Sequence, residues 1–109
     1  MNNQQIVSRL VVDSAAGPDY SEPVAIGDGN AVLITTVLFD FSATRVEYQL
    51  QQSGDLENWS DKNAARNVES AGYHELNVNQ DVNSSYVRVK FTAVAGKAVL
   101  SANINVSNQ

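Results

Sequence analysis

The stretch from Thr44 to Trp59, TRVEYQLQQSGDLENW, constrains the fold of this chain more than any other. Its apolar residues Val46, Tyr48 and Leu50 alternate with polar ones, and a period of two is typical of a strand with one face on a core and the other in water. Residues 53–55, Ser-Gly-Asp, then form a turn signal, and the only tryptophan of the chain closes the stretch. The pattern predicts a half-buried strand followed by a loop that an aromatic side chain anchors.

The same alternation recurs in YVRVKFTA (86–93) and in VLSANINVS (99–107). The segment 31–41, AVLITTVLFDF, is rich in β-branched and aromatic residues and is long enough to need a bend or bulge. No segment keeps a helical period over three turns. We therefore expect an all-β fold, an antiparallel β-sandwich of roughly seven to eight strands in jelly-roll or Greek-key order. Its expected core comprises Val46, Tyr48, Leu50, Trp59, Val87, Val89, Phe91, Leu100 and Ile104.

The remaining segments are less regular. Residues 27–30, Gly-Asp-Gly-Asn, and residues 95–97 predict tight hairpin turns. Pro23 limits residues 22–26 to an edge strand. Residues 13–20 are expected to form a loop, and the polar residues 60–67 a loop or at most one helical turn.

The first residues predict a segment that contacts a partner and not a part of the core. Met1 to Gln5 is a polar segment with nothing to bury, and we expect a flexible arm there, followed by a single sandwich domain over 6–109. Ile6 to Val12 is apolar on both faces, which is typical of a strand that is covered on both sides or lies at a contact. Ile6 and Val7 are therefore candidate partner contacts.

Composition excludes some partners and leaves others. The net charge is −5 and the seven Lys and Arg residues are scattered, which argues against nucleic acid. No apolar run is long enough to cross a membrane, and the first residues do not resemble a secretory signal. The polar surface comes largely from 12 Asn and 7 Gln residues, which suit hydrogen bonding to protein or sugar.

No set of residues carries a recognisable chemistry. His74 is the only histidine, and alternation along its strand places the neighbouring Glu75 on the opposite face, so the two form no simple dyad. Asp13, Asp19 and Asp28 lie in predicted loops and could together hold Ca²⁺, but carboxylates in turns are common. We expect no catalytic residue, no cofactor and no metal site, with loop-bound Ca²⁺ as the alternative.

Three aromatic residues are candidate partner contacts. Trp59 has two interpretations: it plugs one end of the sandwich with its indole N–H on a backbone carbonyl, or it stacks on a sugar or enters a partner's pocket. The plug is the favoured one. Tyr20 and Tyr73 lie in irregular segments and are candidates for exposed contacts.

Two resemblances are visible in these residues. VEYQLQQSGDLENW followed by SYVRVKFT resembles the strand, Ser-x-Asp loop, tryptophan and Tyr-Val-Arg-Val strand of discoidin-like sandwiches. The same sequence pattern, with the closing Gly-Lys turn, resembles that of small virion proteins of tailed phages. The resemblance spans Arg45 to Val106. The chain is shorter than a full discoidin domain and has no cysteines, which favours the virion proteins.

Two function classes follow. The virion resemblance implies a non-enzymatic decoration protein that binds the capsid lattice and its own copies, with the major capsid protein or another virion protein as partner. It implies a location in the virion, after assembly in the host cytoplasm, and a homo-oligomer, with a trimer expected by analogy. The alternative is a carbohydrate-binding or adhesion module that uses loop aromatics to bind a glycan.

Overall fold

The computed structural model of this protein describes residues 2–27, 29–78, 82 and 84–107, and these form strands and no helix. The fold class expected from the sequence is therefore confirmed for this part of the chain. In chain order the strands are β1 (Asn2–Asp13), β2 (Asp19–Tyr20), β3 (Val24–Ala25), β4 (Ala31–Phe41), β5 (Arg45–Ser53), β6 (Ser60–Val68), β7 (Gly72–Val78), β8 (Tyr86–Val94) and β9 (Lys97–Ser107).

The strands form two antiparallel sheets. The first sheet has the order β1-β9-β4-β7, and the second has the order β2-β8-β5-β6 with β3 also paired to β8. Since β2 and β3 share a partner, they act as one interrupted strand. The pairs are nested along the chain: β1 with β9, β2 and β3 with β8, β4 with β7, and β5 with β6. This nesting is the jelly-roll order, and it places the loop after β5 at the tip of the innermost pair.

One apolar core lies between the sheets. The alternation expected for β5, β8 and β9 is confirmed, because every apolar residue predicted to point inward on these strands is buried. Tyr48 and Phe91 are the largest fully buried side chains, and their ring centroids lie 6.3 Å apart. The bulge expected in the long strand β4 is also present, between Leu38 and Asp40. The predicted core residue that does not belong to this cluster is Trp59.

The N-terminal segment differs from the expected arm. Asn2 to Gln5 form the first part of β1 and pair with residues 103–106 of β9, while Met1 lies outside the described residues. Backbone pairing with β9 requires no apolar side chain, so a polar sequence can extend a sheet at its edge. β1 carries apolar residues on both faces because register shifts on either side of Val7 change which side chains point inward.

The polar segment 60–67, expected to be a loop, is also a strand. It forms most of β6 and pairs with β5 across a register shift between Tyr48 and Leu50. As an edge strand it is held by its backbone and buries Val68 at its end, so its side chains need not alternate. Within the predicted 13–20 loop, Asp19 and Tyr20 pair with β8 as β2, whereas the edge strand expected around Pro23 is confirmed as β3.

Both predicted hairpin turns instead connect the two sheets. The turn at 27–30 joins β3 of the second sheet to β4 of the first, and Asp28 within it lies outside the described residues. The turn at 95–97 joins β8 to β9 in the same way. A Cβ atom at Gly96 would lie 2.7 Å from the Ala43 Cα, and Gly96 has a φ of 147°, so this crossing requires glycine.

Candidate partner-binding surfaces

The loop between β5 and β6 is fixed by two side chains. The Ser53 hydroxyl accepts hydrogen bonds from the amides of Asp55 (3.2 Å) and Leu56 (3.0 Å). The Asp55 carboxylate in turn accepts from the amides of Glu57 (2.9 Å) and Asn58 (2.8 Å). These amide bonds to Asn58 and Glu57 hold the pKa of the Asp55 carboxyl well below its usual range, because they favour the charged form. The Ser-x-Asp pattern of the sequence thus makes an ordered loop that leads into Trp59.

Trp59 lies on the outside of the second sheet. Its indole N–H donates to the Leu56 carbonyl at 3.3 Å, as the sequence predicted, but the side chain is half-buried and does not plug the sandwich. The ring lies instead over the guanidinium of Arg88, whose Cζ atom is 4.2 Å from the ring centroid. The Arg88 side chain projects from the outer face of β8, and its planar guanidinium attracts the face of the indole ring.

Arg88 brings two of the predicted contact residues together. Its Cζ atom lies 4.0 Å from the ring centroid of Tyr20, which is 45% exposed. Its Nε donates to the Gln51 side chain (2.8 Å), and the Gln51 amide donates to Asp61 (2.9 Å). We call this arrangement the Tyr20–Arg88–Trp59 stack. Its members come from β2, β8 and the residue before β6, so the stack exists only in the folded sheet.

A shallow depression lies on the same outer face. Its volume is about 220 Å³, and two further depressions of the described surface measure about 130 and 110 Å³. These volumes lie below the roughly 300–1,000 Å³ typical of small-molecule sites. Charged and amide side chains predominate in the largest one, which is lined by Glu47, Gln49, Asp61, Lys90 and Thr92.

The outer face of the first sheet has a different chemistry. Its two central strands carry no Asp, Glu, Lys or Arg from Ala31 to Phe39 or from Val99 to Ser107. Their outward residues are half-buried Leu, Val, Thr, Ser and Asn side chains. Around this uncharged centre lie large exposed apolar residues: Val11 (55% exposed), Phe39 (50%) and Tyr73 (60%). The Arg9 guanidinium of β1 lies over the Phe39 ring, with its Cζ atom 4.9 Å from the ring centroid.

Tyr73, the third aromatic candidate, is on this face and far from the stack in the strand order. It lies on the edge strand β7 opposite Val37, and its hydroxyl donates to the Glu75 carboxylate at 3.0 Å. This hydrogen bond to Glu75 raises the pKa of the Tyr73 phenol. The depression of about 130 Å³ adjoins Tyr73 and reaches β1 at Gln5.

The apolar candidates on β1 are not surface residues. Ile6 is 3% exposed and belongs to the core, and Val7 is half-buried against it. The candidate contacts therefore divide into a pair on the second sheet (Tyr20 and Trp59), one residue on the first sheet (Tyr73), and two residues that the sandwich itself covers.

The structure also locates the candidate calcium ligands and the single histidine. Asp13 accepts a hydrogen bond from the Ala15 amide and lies 3.8 Å from Lys97, while Asp19 is in β2. The described residues contain no group of three or more His, Asp or Glu side chains placed to hold a metal ion, and Asp28 is not among them. His74 lies on the edge strand β7, as expected, with Nε2 2.9 Å from the Ser70 carbonyl oxygen.

Comparison with known proteins gives a structural likeness and no sequence family. No protein-family model and no curated protein sequence matches the chain. The fold is similar to that of the SPBc2 prophage-derived protein YomS, with a TM-score of 0.55 over 97% of this chain and 92% of that one. The two chains are 12% identical, so the likeness concerns the fold. No helix in the described part of the chain is long and apolar enough to span a membrane.

The sequence does not indicate the residues that organise both faces. Alternation in 86–93 predicts only an outward direction for Arg88, and nothing in its local pattern indicates two aromatic neighbours that are distant in sequence. Val11 and Phe39 lie in apolar runs that predict no exposed position for them. The pairing of Val11 with Val99 and the bulge after Leu38 explain why they are exposed, and neither feature is visible locally.

Proposed function

We propose that this protein is a non-enzymatic structural component of a phage particle, a capsid decoration protein that docks on the major capsid protein or another virion protein. The observation that carries the proposal is the uncharged centre of the outer face of the first sheet, with exposed Val11, Phe39 and Tyr73 around it. Its fold likeness to a prophage-derived protein supports a phage context.

The chemistry of this face favours a protein partner. The centres of protein interfaces are depleted of charged side chains and enriched in tyrosine and other aromatics, with polar groups at the rim. The first sheet fits this description, since its charged residues lie on the edge strands or at strand ends: Arg9 and Asp13 on β1, Asp40 at the end of β4, Glu75 on β7 and Lys97 at the start of β9. The second sheet does not, because Arg45, Glu47 and other charged residues lie across its centre.

The test is co-sedimentation with particles purified from cells in which the gene has been deleted. Asn103 is half-buried in the middle of the proposed docking face, between Gln5 of β1 and Thr35 of β4. Asn103→Arg places an unpaired cation there, and we expect it to abolish co-sedimentation while the circular dichroism spectrum stays unchanged. The matched control is Thr92→Arg, at a half-buried position of the outer face of the second sheet, which should bind like wild type. Equal binding by both variants and wild type would contradict docking through the first sheet.

A second candidate function is glycan binding, and the Tyr20–Arg88–Trp59 stack is the observation that favours it. Aromatic rings beside a depression lined by amides and carboxylates are groups that sugars can stack on and hydrogen-bond to. A glycan microarray probed with wild type and Trp59→Ala tests it. Binding that is lost in Trp59→Ala would favour this function, and an empty array would remove it.

A further inference from the structure

In the part of the chain that the structure describes, three of the four sheet edges have features that block pairing with another chain. The β1 edge has register shifts on both sides of Val7, and the Ile6 carbonyl accepts a hydrogen bond from the Glu22 amide. Bulges and covering segments of this kind prevent a further strand from adding to a sheet.

The two edges of the second sheet are blocked as well. One consists of β2 and β3, strands of two residues each, separated by a segment that contains Pro23. Proline has no N–H to donate to a new strand. The other is β6, which has a register shift opposite β5 and carries Asp61, Lys62 and Arg66. Short strands, proline, bulges and charges are the usual protections of natural sheet edges.

The fourth edge, β7, has one charged residue and none of the other protections. It pairs with β4 without a register shift over all of Gly72–Val78. It contains no proline, and its only Asp, Glu, Lys or Arg residue is Glu75. Among the described residues, no backbone hydrogen bond from another segment reaches its side away from β4. An exposed regular edge of this length is a template for strand addition.

We propose that β7 pairs antiparallel with β7 of a second copy of this chain, which joins the two first sheets into one continuous sheet. The choice of β7 in the second copy follows by elimination. Because the other three edges of each copy are blocked, β7 is the edge strand that the second copy can offer. A strand that pairs with itself about a two-fold axis is an isologous interface, which closes as a dimer. The trimer expected by analogy would need two different interacting surfaces. The pairing does not depend on whether the first sheet docks on a particle.

The charge on β7 disfavours one register, and a neighbouring register pairs complementary groups. Centring the two-fold axis on Glu75 would place two carboxylates directly opposite each other, which is unfavourable. Centring it on His74 places Tyr73 opposite Glu75 of the second copy, on the outer face. The Tyr73 hydroxyl already donates to a Glu75 carboxylate within its own chain at 3.0 Å, so the two groups are chemically matched.

The first experiment measures the molar mass of the full chain by light scattering after size exclusion. Wild type is expected at twice the 11.8 kDa of one chain. Tyr73→Glu brings carboxylates opposite each other in the pair and should give the monomer, whereas Tyr73→Lys faces Glu75 of the second copy and should stay dimeric. Val11→Glu, at an equally exposed position on the opposite edge strand, is the control and should stay dimeric. A monomeric wild type at about 1 mM, or equal effects of the three substitutions, would overturn the proposal.

The second experiment fixes the register and does not depend on those variants. The chain has no cysteine, so His74→Cys introduces a single thiol. Directly opposed residues of antiparallel strands have Cα atoms about 4.5–5.5 Å apart, within the range that a disulfide bridges. Mild oxidation should therefore give a covalent dimer of His74→Cys and none of Ser8→Cys, a control on β1. A folded His74→Cys variant that fails to cross-link, or equal cross-linking of both, would overturn the pairing at His74.

Discussion

The guanidinium carbon of Arg88 lies 4.2 Å from the centroid of the Trp59 ring, on the outer face of the second sheet. The indole of the only tryptophan thus rests on a cation supplied by β8 and lies outside the core. This contact also makes Trp59 a spectroscopic reporter of that face.

Removing the cation should release the indole. In Arg88→Ala, we expect the Trp59 emission maximum to shift to the red and quenching by acrylamide to increase, because the ring loses its cation–π partner. The stack at a partly exposed site contributes about 0.5–1 kcal/mol, so the protein should remain folded. Lys90→Ala, two residues further on the same face, should leave the emission unchanged. Identical spectra for all three proteins would contradict the contact.

The packing of β5 should depend on Leu50. This side chain is fully buried in the common core, and Leu50→Ala should lower the free energy of unfolding by about 2–5 kcal/mol. Urea unfolding monitored by circular dichroism measures it. A loss well below about 1 kcal/mol would mean that β5 packs less tightly than the burial of Leu50 indicates.

Thr36 should be replaceable with a gain in stability. Its hydroxyl is fully buried, and no described residue offers it a hydrogen bond. Thr36→Val removes the desolvated hydroxyl and should raise the free energy of unfolding by about 1 kcal/mol, as measured by urea unfolding. A comparable loss would show that the hydroxyl has a partner.

The loop between β5 and β6 should keep its conformation in moderate acid. Because the folded pKa of Asp55 lies below its unfolded value, the carboxylate contributes stability that is fully present above the ordinary carboxyl range and is lost progressively as pH falls from the unfolded pKa to the lowered folded pKa. Within the folded protein the carboxylate itself stays charged until the lowered folded pKa is reached. The amide NMR shifts of Glu57 and Asn58 should therefore stay constant through the usual aspartate titration near about pH 4 and change in stronger acid. In Asp55→Ala both amides should differ from wild type at every pH. A titration of these amides near pH 4 would argue against the two hydrogen bonds.

The sequence predicted the parts of the fold that depend on a local sequence pattern. Alternation in β5, β8 and β9 is a property of each strand, so their inward residues and the sandwich class followed from it. Pairing between distant segments is not local. Asn2 to Gln5 and the residues of β6 are strands because β9 and β5 offer them backbone partners, and the turns at Gly27 and Gly96 cross between sheets because the chain is nested.

The same limit applies to the candidate surfaces. The sequence identified Tyr20, Trp59 and Tyr73 as contact residues, but it could not assign Tyr20 and Trp59 to one stack, since Arg88 joins them only through the order β2-β8-β5-β6. The open edge at β7 likewise emerges only by comparison with the three blocked edges.

Quantitative mass spectrometry of purified phage particles from cells that carry this gene tests the proposed function most directly. The account predicts that the protein is present in a fixed, multiple-copy ratio to the major capsid protein, and that the ratio survives washing in high salt, because an uncharged face gives little salt-dependent binding. Particles that lack the protein, or that lose it in salt, would contradict a structural role through the first sheet.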